Sequence, residues 1–237
     1  WLGFVIWRGL FSRCFVLGEC GEKLLFCGMR NDASIGVFDS GLGGLTVVKA
    51  LLEVLPGESL VYFGDLAHLP YGDKSPELVQ EYSEQIARFL LEKEVKAIVI
   101  ACNTASAVAA EVVQRVAGDI PVIDVVQPAV QLALADPAHR NIGVIGTKAT
   151  VRSNIYRKLL TTNSADIQVT QKATPLLVPL IEEGWHNNSV SREVIEAYLS
   201  DTGFAGLDAL SLGCTHYPLI RPQIIDYFSE DQPDIHV

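Results

Sequence analysis

The sequence has no CxxC pair and no excess of positive charge. The first absence argues against zinc-binding and disulfide-rich proteins, and the second against nucleic-acid-binding proteins. Its five cysteines are an odd number without paired spacing, which argues against a disulfide framework or a zinc site and favours free thiols in a reducing compartment, the cytoplasm. The formal net charge is −10, and no basic stripe is visible. Because an acidic surface repels phosphate backbones, nucleic acid is not an expected ligand. An acidic small molecule would have to be bound by local donors.

Methionine is almost missing, since Met29 is the only one in the 237 residues. The 28 residues before it are apolar without a clear period, and they contain two of the three tryptophans and three of the five cysteines. We therefore expect residues 1–28 to be a non-native upstream leader and Met29 to be the natural start. A membrane or targeting leader is the alternative, but the stretch lacks the basic opening and small-residue end of a signal peptide.

Two parts of the chain repeat each other at three points. The matching runs are IGVFDS (35–40) with IGVIGT (142–147), AIVIACNT (97–104) with ALSLGCTH (209–216), and PVIDV (121–125) with PDIHV (233–237). In both copies the proline of the third run follows the cysteine of the second by 19 residues. The chain is therefore predicted to fold as two similar halves. The first copy runs on through Val126 and Gln127, so the natural protein is expected to continue past residue 237.

Each half alternates short apolar runs typical of strands with amphipathic stretches typical of helices. The clearest helix is predicted from Ser75, as N-cap, and Pro76 to about Glu94, with an apolar face of Leu78, Val79, Tyr82, Ile86, Phe89 and Leu90. Apolar strands joined by helices imply parallel sheets covered on both faces, with ligands at the carboxyl ends of the strands. We predict an α/β fold of two similar domains, residues 29–125 and 126–237, related by a pseudo-twofold axis around a cleft that holds the active site.

Cys102 and Cys214 occupy equivalent positions of the repeat, each just after a predicted strand. A helix is expected from Ala107 to about Val116, so Cys102 would lie near a helix N-terminus, where a thiolate is stabilised. A lone free cysteine is usually buried and inert. Two cysteines at equivalent positions, each followed by hydroxyl or amide side chains, favour a function instead, and facing halves would place them on opposite walls of one cleft.

The glycine-rich segment DSGLGG (39–44) follows the first predicted strand. It lacks the GxGxxG spacing, so a dinucleotide fingerprint is not supported. It is either a tight turn or a cradle whose backbone N–H groups and Ser40 hydroxyl bind a carboxylate. In the second case Asp39 would face a substrate ammonium or a catalytic thiol.

Three further polar positions each have a structural and a functional interpretation. The turn Pro70-Tyr71-Gly72 either is an ordinary turn or lines the cleft. Glu182 follows an apolar run and is by default a solvated helix charge. His216 lies two residues after Cys214, which favours a role in proton handling over that of a loop histidine.

Taken together, these motifs resemble the glutamate racemase family over about residues 34–237. The segments that carry the resemblance are FDSGLGGLTV (38–47), YFGD (62–65), PYG (70–72), ACNTAS (101–106) and GCTHYP (213–218). The resemblance implies an isomerase that interconverts L- and D-glutamate and supplies D-glutamate for peptidoglycan and cell wall biogenesis. It also implies that neither pyridoxal phosphate nor a metal is used.

The resemblance further implies roles for individual residues. Cys102 would remove the α-proton of D-glutamate and Cys214 that of L-glutamate, while Asp39, His216 and Glu182 would be auxiliary catalytic residues. Substrate contacts would come from Asp39, Ser40, Tyr71, Gly72, Asn103, Thr104, Thr215 and His216. In the family a C-terminal strand and helix pack on the first domain, and the second copy is expected to lack them here.

Two alternatives remain open at this point. One is a relative with the same two cysteines that racemises aspartate or another small acid or a hydantoin. The other is a binding role, because some glutamate racemases inhibit DNA gyrase, although nothing in this sequence encodes it. The expected partners are the small-molecule substrate and, by resemblance, a second copy in a homodimer. Neither a membrane nor nucleic acid is expected.

Overall fold

The computed structural model describes residues 32–163, 166–200, 202–229 and 231–237. The predicted leader, residues 1–28, lies outside the described residues, as does Met29. The described chain forms two parallel sheets, each flanked by helices. No helix in these ranges is long and apolar enough to span a membrane.

The first sheet has the strand order β2-β1-β3-β4, and every neighbouring pair is parallel. Its strands are β1 (Ile35–Asp39), β2 (Leu60–Gly64), β3 (Ala97–Ile100) and β4 (Val122–Asp124). Its helices are α1 (Leu45–Val54), α2 (Pro76–Glu92) and α3 (Asn103–Ala117), with a 3₁₀ turn at Tyr71–Asp73. Because buried apolar side chains pack on both faces of this sheet, its strands read as continuous apolar runs.

The second sheet has the order β6-β5-β7 and is also parallel. Its strands are β5 (Asn141–Gly146), β6 (Gln168–Ala173) and β7 (Ala209–Gly213). Its helices are α4 (Val126–Ala133), α5 (Lys148–Ser153), α6 (Ile155–Asn163), α7 (Leu177–Glu182), α8 (Ser189–Leu199) and α9 (Arg221–Phe228). Two 3₁₀ turns, Thr202–Phe204 and Tyr217–Ile220, complete this half.

The structure confirms the predicted internal repeat. β1 and β5 are each flanked by two parallel partners, and the two cysteine-bearing runs form the equivalent strands β3 and β7. His236 makes an isolated parallel bridge to Ala209, so the last described residues lie beside β7 as β4 lies beside β3. The α/β fold with two covered parallel sheets is therefore as predicted.

The structure confirms the predicted start of helix α2. The Ser75 hydroxyl accepts a hydrogen bond from the N–H of Leu78 at 3.4 Å, and Pro76 is the first helical residue. The helix ends at Glu92, two residues before the expected position. The predicted apolar face was too wide, since Leu78 is 42% exposed and Phe89 36% exposed. Both lie at the margin of the face, whose buried centre is formed by Val79, Ser83, Ile86, Ala87 and Leu90.

Candidate active site

A cleft of about 190 Å³ lies at the carboxyl ends of both sheets. Both halves of the repeat contribute to its walls, as the parallel-sheet rule predicts. The structure brings together in its lining all the predicted site residues except Asp39: Ser40, Tyr71, Gly72, Cys102, Asn103, Thr104, Glu182, Cys214, Thr215 and His216.

Cys102 is the N-cap of helix α3 and is 4% exposed. The helix begins at Asn103 and not at the predicted Ala107, so the thiol lies at the helix N-terminus itself. Its Sγ accepts a hydrogen bond from the N–H of Ala105 at 3.4 Å and donates to the Ser40 hydroxyl at 3.6 Å. Burial raises the pKa of this thiol to about 11, the charge of Asp39 adds to the rise, and the Ala105 N–H opposes it.

Cys214 follows the last residue of β7 and is 7% exposed. Its Sγ lies 3.6 Å from His216 Nδ1, and His216 Nε2 lies 3.1 Å from Glu182 Oε1. Burial raises the pKa of the Cys214 thiol well above its usual range, and the backbone N–H of His216 opposes that rise. Thiol, imidazole and carboxylate therefore form a chain suited to moving or holding a proton at this wall.

Asp39 is fully buried at the carboxyl end of β1. Its Oδ2 accepts hydrogen bonds from the N–H groups of Gly41 and Gly44, both at 3.0 Å, and the Thr215 hydroxyl donates to its Oδ1 at 3.5 Å. Burial raises the pKa of this carboxyl, while the two glycine N–H groups oppose the rise. Asp39 thus holds the glycine-rich turn and joins it to the Cys214 loop, and its predicted direct role in proton transfer stays a prediction.

Asn103 and Thr104 connect the Cys102 wall to the second half of the chain. The Tyr156 hydroxyl donates to Asn103 Oδ1 at 2.7 Å, and the hydroxyl oxygens of Thr104 and Thr147 are 2.9 Å apart. Gly72 is also at a point of close approach, because a Cβ there would lie 2.7 Å from the Cβ of Thr147. These contacts hold the two walls in register around the thiols.

Comparison with known proteins matches this arrangement to one family. The family model described as Asp/Glu/Hydantoin racemase matches residues 35–235. The chain belongs to this family. It is 50% identical over 190 residues to the glutamate racemase of Neisseria meningitidis serogroup B, covering 80% of this chain and 70% of that one.

Two further racemases show the same likeness. The glutamate racemase of Geobacter metallireducens is 47% identical over 198 residues, which cover 84% of this chain and 73% of that protein. The crystal structure of glutamate racemase from Francisella tularensis in complex with D-glutamate is 43% identical, with a TM-score of 0.80 over 87% of this chain and 76% of that one. The chain is thus an amino-acid racemase, an isomerase, with the fold of the glutamate racemases.

Sequence reasoning missed several residues of the racemase cleft. They are Leu69, Asp73, Thr147, Lys148, Thr174, Pro175, Val178, Pro179 and Tyr217. The repeat could have revealed Thr147, because it occupies the position after β5 that Ser40 occupies after β1. Among the residues described, no group of three or more His, Cys, Asp or Glu side chains is arranged to hold a metal ion.

Proposed function

We propose that this racemase interconverts L- and D-glutamate with Cys102 and Cys214 as a two-base pair. The observation that carries the proposal is the presence of two buried thiols, at equivalent strand ends, in the lining of one cleft. The glutamate racemases that match most of the chain support the substrate assignment. The chain's two halves, residues 29–125 and 126–237, would supply one thiol each.

In the proposed reaction the Cys102 thiolate takes the α-proton of D-glutamate, and the electron pair of the broken C–H bond stays on the α-carbon. The Cys214 thiol then gives its proton to the opposite face of that carbanion, which yields L-glutamate. Cys102 is left as the thiol and Cys214 as the thiolate. The enzyme can then convert L-glutamate in the reverse direction, or Cys102 can lose a proton to solvent and Cys214 gain one before the next D-glutamate binds. Transfer to the face opposite the departure explains inversion without a cofactor.

The neighbours of each thiol would assist it. His216 is within 3.6 Å of Cys214 and is held by Glu182, so it would shuttle or stabilise the proton on that side. The Ser40 hydroxyl accepts a hydrogen bond from Cys102. The negative charge of Asp39 raises the pKa of the same thiol, which makes its thiolate a stronger base. Hydroxyl, amide, imidazole and backbone donors would bind the substrate carboxylates and stabilise the developing dianion: Ser40, Tyr71, Gly72, Asn103, Thr104, Thr215 and His216. Asp39 is buried behind the glycine-rich turn and does not line the cleft, so its predicted substrate contact stays a prediction.

The biological setting follows from the family. Glutamate racemases supply D-glutamate for peptidoglycan and use neither pyridoxal phosphate nor a metal, and we propose the same for this chain. The free thiols of Cys102 and Cys214 support a cytoplasmic location. We also propose a homodimer by family resemblance, which sedimentation of the purified protein would test.

The deciding experiment is proton NMR of L-glutamate in D₂O with purified protein, chelator present and no pyridoxal phosphate added. We expect loss of the α-proton signal together with decay of the optical rotation to zero. Aspartate is the matched substrate control, since it lacks one methylene. Racemisation of aspartate but not of glutamate would reassign the substrate, and exchange of neither would overturn the proposal.

The raised thiol pKa predicts the pH dependence. A thiol with a pKa of about 11 is protonated at neutral pH, and the thiolate that abstracts the proton becomes more abundant as the pH rises. We therefore expect kcat/KM for D-glutamate to rise from pH 7 to pH 9, by up to about tenfold per pH unit. Initial rates in buffers of constant ionic strength check this, and a rate that falls over this range would contradict it.

A further inference from the structure

We infer that the positive charge of Lys148 attracts the carboxylates of an acidic substrate into the cleft. Before the substrate binds, Asp73 on the opposite wall is the ion-pair partner of Lys148. The inference rests on the proposed function, because it requires a dicarboxylate substrate. Lys148 begins helix α5 in the second half of the chain, and Asp73 ends the 3₁₀ turn of the first half. Lys148 Nζ lies 3.1 Å from Asp73 Oδ1, so this ion pair bridges the two walls.

The charges around the cleft make Lys148 distinctive. Among the described residues that line the cleft, it is the only lysine or arginine, whereas Asp73 and Glu182 carry carboxyl groups. The chain as a whole has a net charge of −10, so its overall field repels an anion. Glutamate brings two carboxylates and one ammonium group, and Lys148 is the local positive charge that offsets the repulsion.

The exposure of the pair suits an exchange of partners. The Lys148 side chain is 51% exposed and the Asp73 side chain 56% exposed. An ion pair this exposed is weak because water screens it, so a substrate carboxylate can replace Asp73 as the partner of Lys148 with little net loss. The flexible lysine stem allows the ammonium group to follow the entering anion.

The pair is not needed merely to hold the walls together. The hydroxyl contact between Thr104 and Thr147 already joins them beside Lys148, and Gly72 packs against Thr147 at the same place. These contacts are more buried than the ion pair. The more exposed Lys148–Asp73 pair would add little to the stability that these contacts provide. This favours a role for Lys148 in capturing the substrate.

The two partners therefore predict effects of opposite sign. In Lys148→Met we expect KM for L-glutamate to rise about three- to fivefold with kcat within about twofold of the parent, as loss of one exposed charge pair allows. In Asp73→Asn, Lys148 loses its ion-pair partner and is free to bind the substrate carboxylate, so KM for L-glutamate is expected to fall. Lys148→Arg, which keeps the charge, should retain the parent KM within about twofold.

Steady-state kinetics on all three variants tests this, with Lys158→Met as the matched control. Lys158 is exposed on α6 and does not line the cleft, so its loss changes the net charge equally and should leave KM unchanged. Raising the salt concentration should raise KM in the parent and much less in Lys148→Met. A rise of KM in both Lys148→Met and Asp73→Asn would overturn the inference, and so would an unchanged KM in both variants. The proposed function would stand in either case, because it is tested by the activity of the parent protein on glutamate.

Discussion

Racemisation of L-glutamate is expected to fall about 10²- to 10⁴-fold in kcat/KM when Cys214 is replaced by alanine, the range that a positioned acid or base contributes. Without this thiol, none of the described residues supplies a thiolate on that side of the cleft. L- and D-glutamate have equal free energies in water, so kcat/KM must fall equally in both directions. The same loss is expected for Cys102→Ala, because each turnover in the proposed two-base scheme needs both thiols.

Proton exchange distinguishes the two variants where racemisation does not. In Cys214→Ala, Cys102 remains and should exchange the α-proton of D-glutamate for deuterium with retention of configuration, while L-glutamate stays unlabelled. Cys102→Ala should show the reverse. Proton NMR in D₂O combined with chiral chromatography measures both quantities, and thermal unfolding checks that each variant is folded. Racemisation of L-glutamate by Cys214→Ala at the parent rate would falsify the two-base scheme.

The fold could be predicted from the sequence because its strands and helices carry strong local signals. The buried strand β3 is a continuous apolar run, and α2 has a capping serine followed by proline. The sequence predicts the start of α3 at Ala107, four residues late, for a physical reason. Asn103 and Thr104 favour caps and turns in isolation, but here both are buried and bonded to the second half of the chain, which holds them in the first turn of the helix.

The site could be predicted only in part. The repeat marks the two cysteines, and the family resemblance implies the contacts of the residues beside them, whereas Thr174 reaches the cleft from a segment after β6 that contains no recognisable motif. Contacts across the cleft depend on how the two halves are oriented, and no local pattern encodes that. The burial of Asp39 behind the glycine-rich turn is of this kind, since it involves Thr215, 176 residues away in the chain.

Gly43 is the position where we expect the second large effect, because it lies where the first half presses against the Cys214 loop. A Cβ at this residue would lie 2.5 Å from Thr215 Oγ1 and 2.6 Å from both Cε1 and Nδ1 of His216. These distances are too short for any real contact, so Gly43→Ala must displace the loop or turn the imidazole. The Nδ1 atom concerned is the one that faces Cys214 Sγ.

We therefore expect Gly43→Ala to lower kcat/KM for racemisation about 10²-fold, the effect of misplacing a catalytic group by about 1 Å. Gly57→Ala is the matched control, since a Cβ there meets nothing within 4 Å and Gly57 is not among the glycines with positive φ. Exchange of the D-glutamate α-proton through Cys102 should fall much less than racemisation, because the three atoms nearest to the new methyl group all belong to Thr215 and His216, on the Cys214 side. Equal losses of both would mean that the substitution disturbs the whole cleft, and parent-like racemisation would mean that the packing of Gly43 does not position His216.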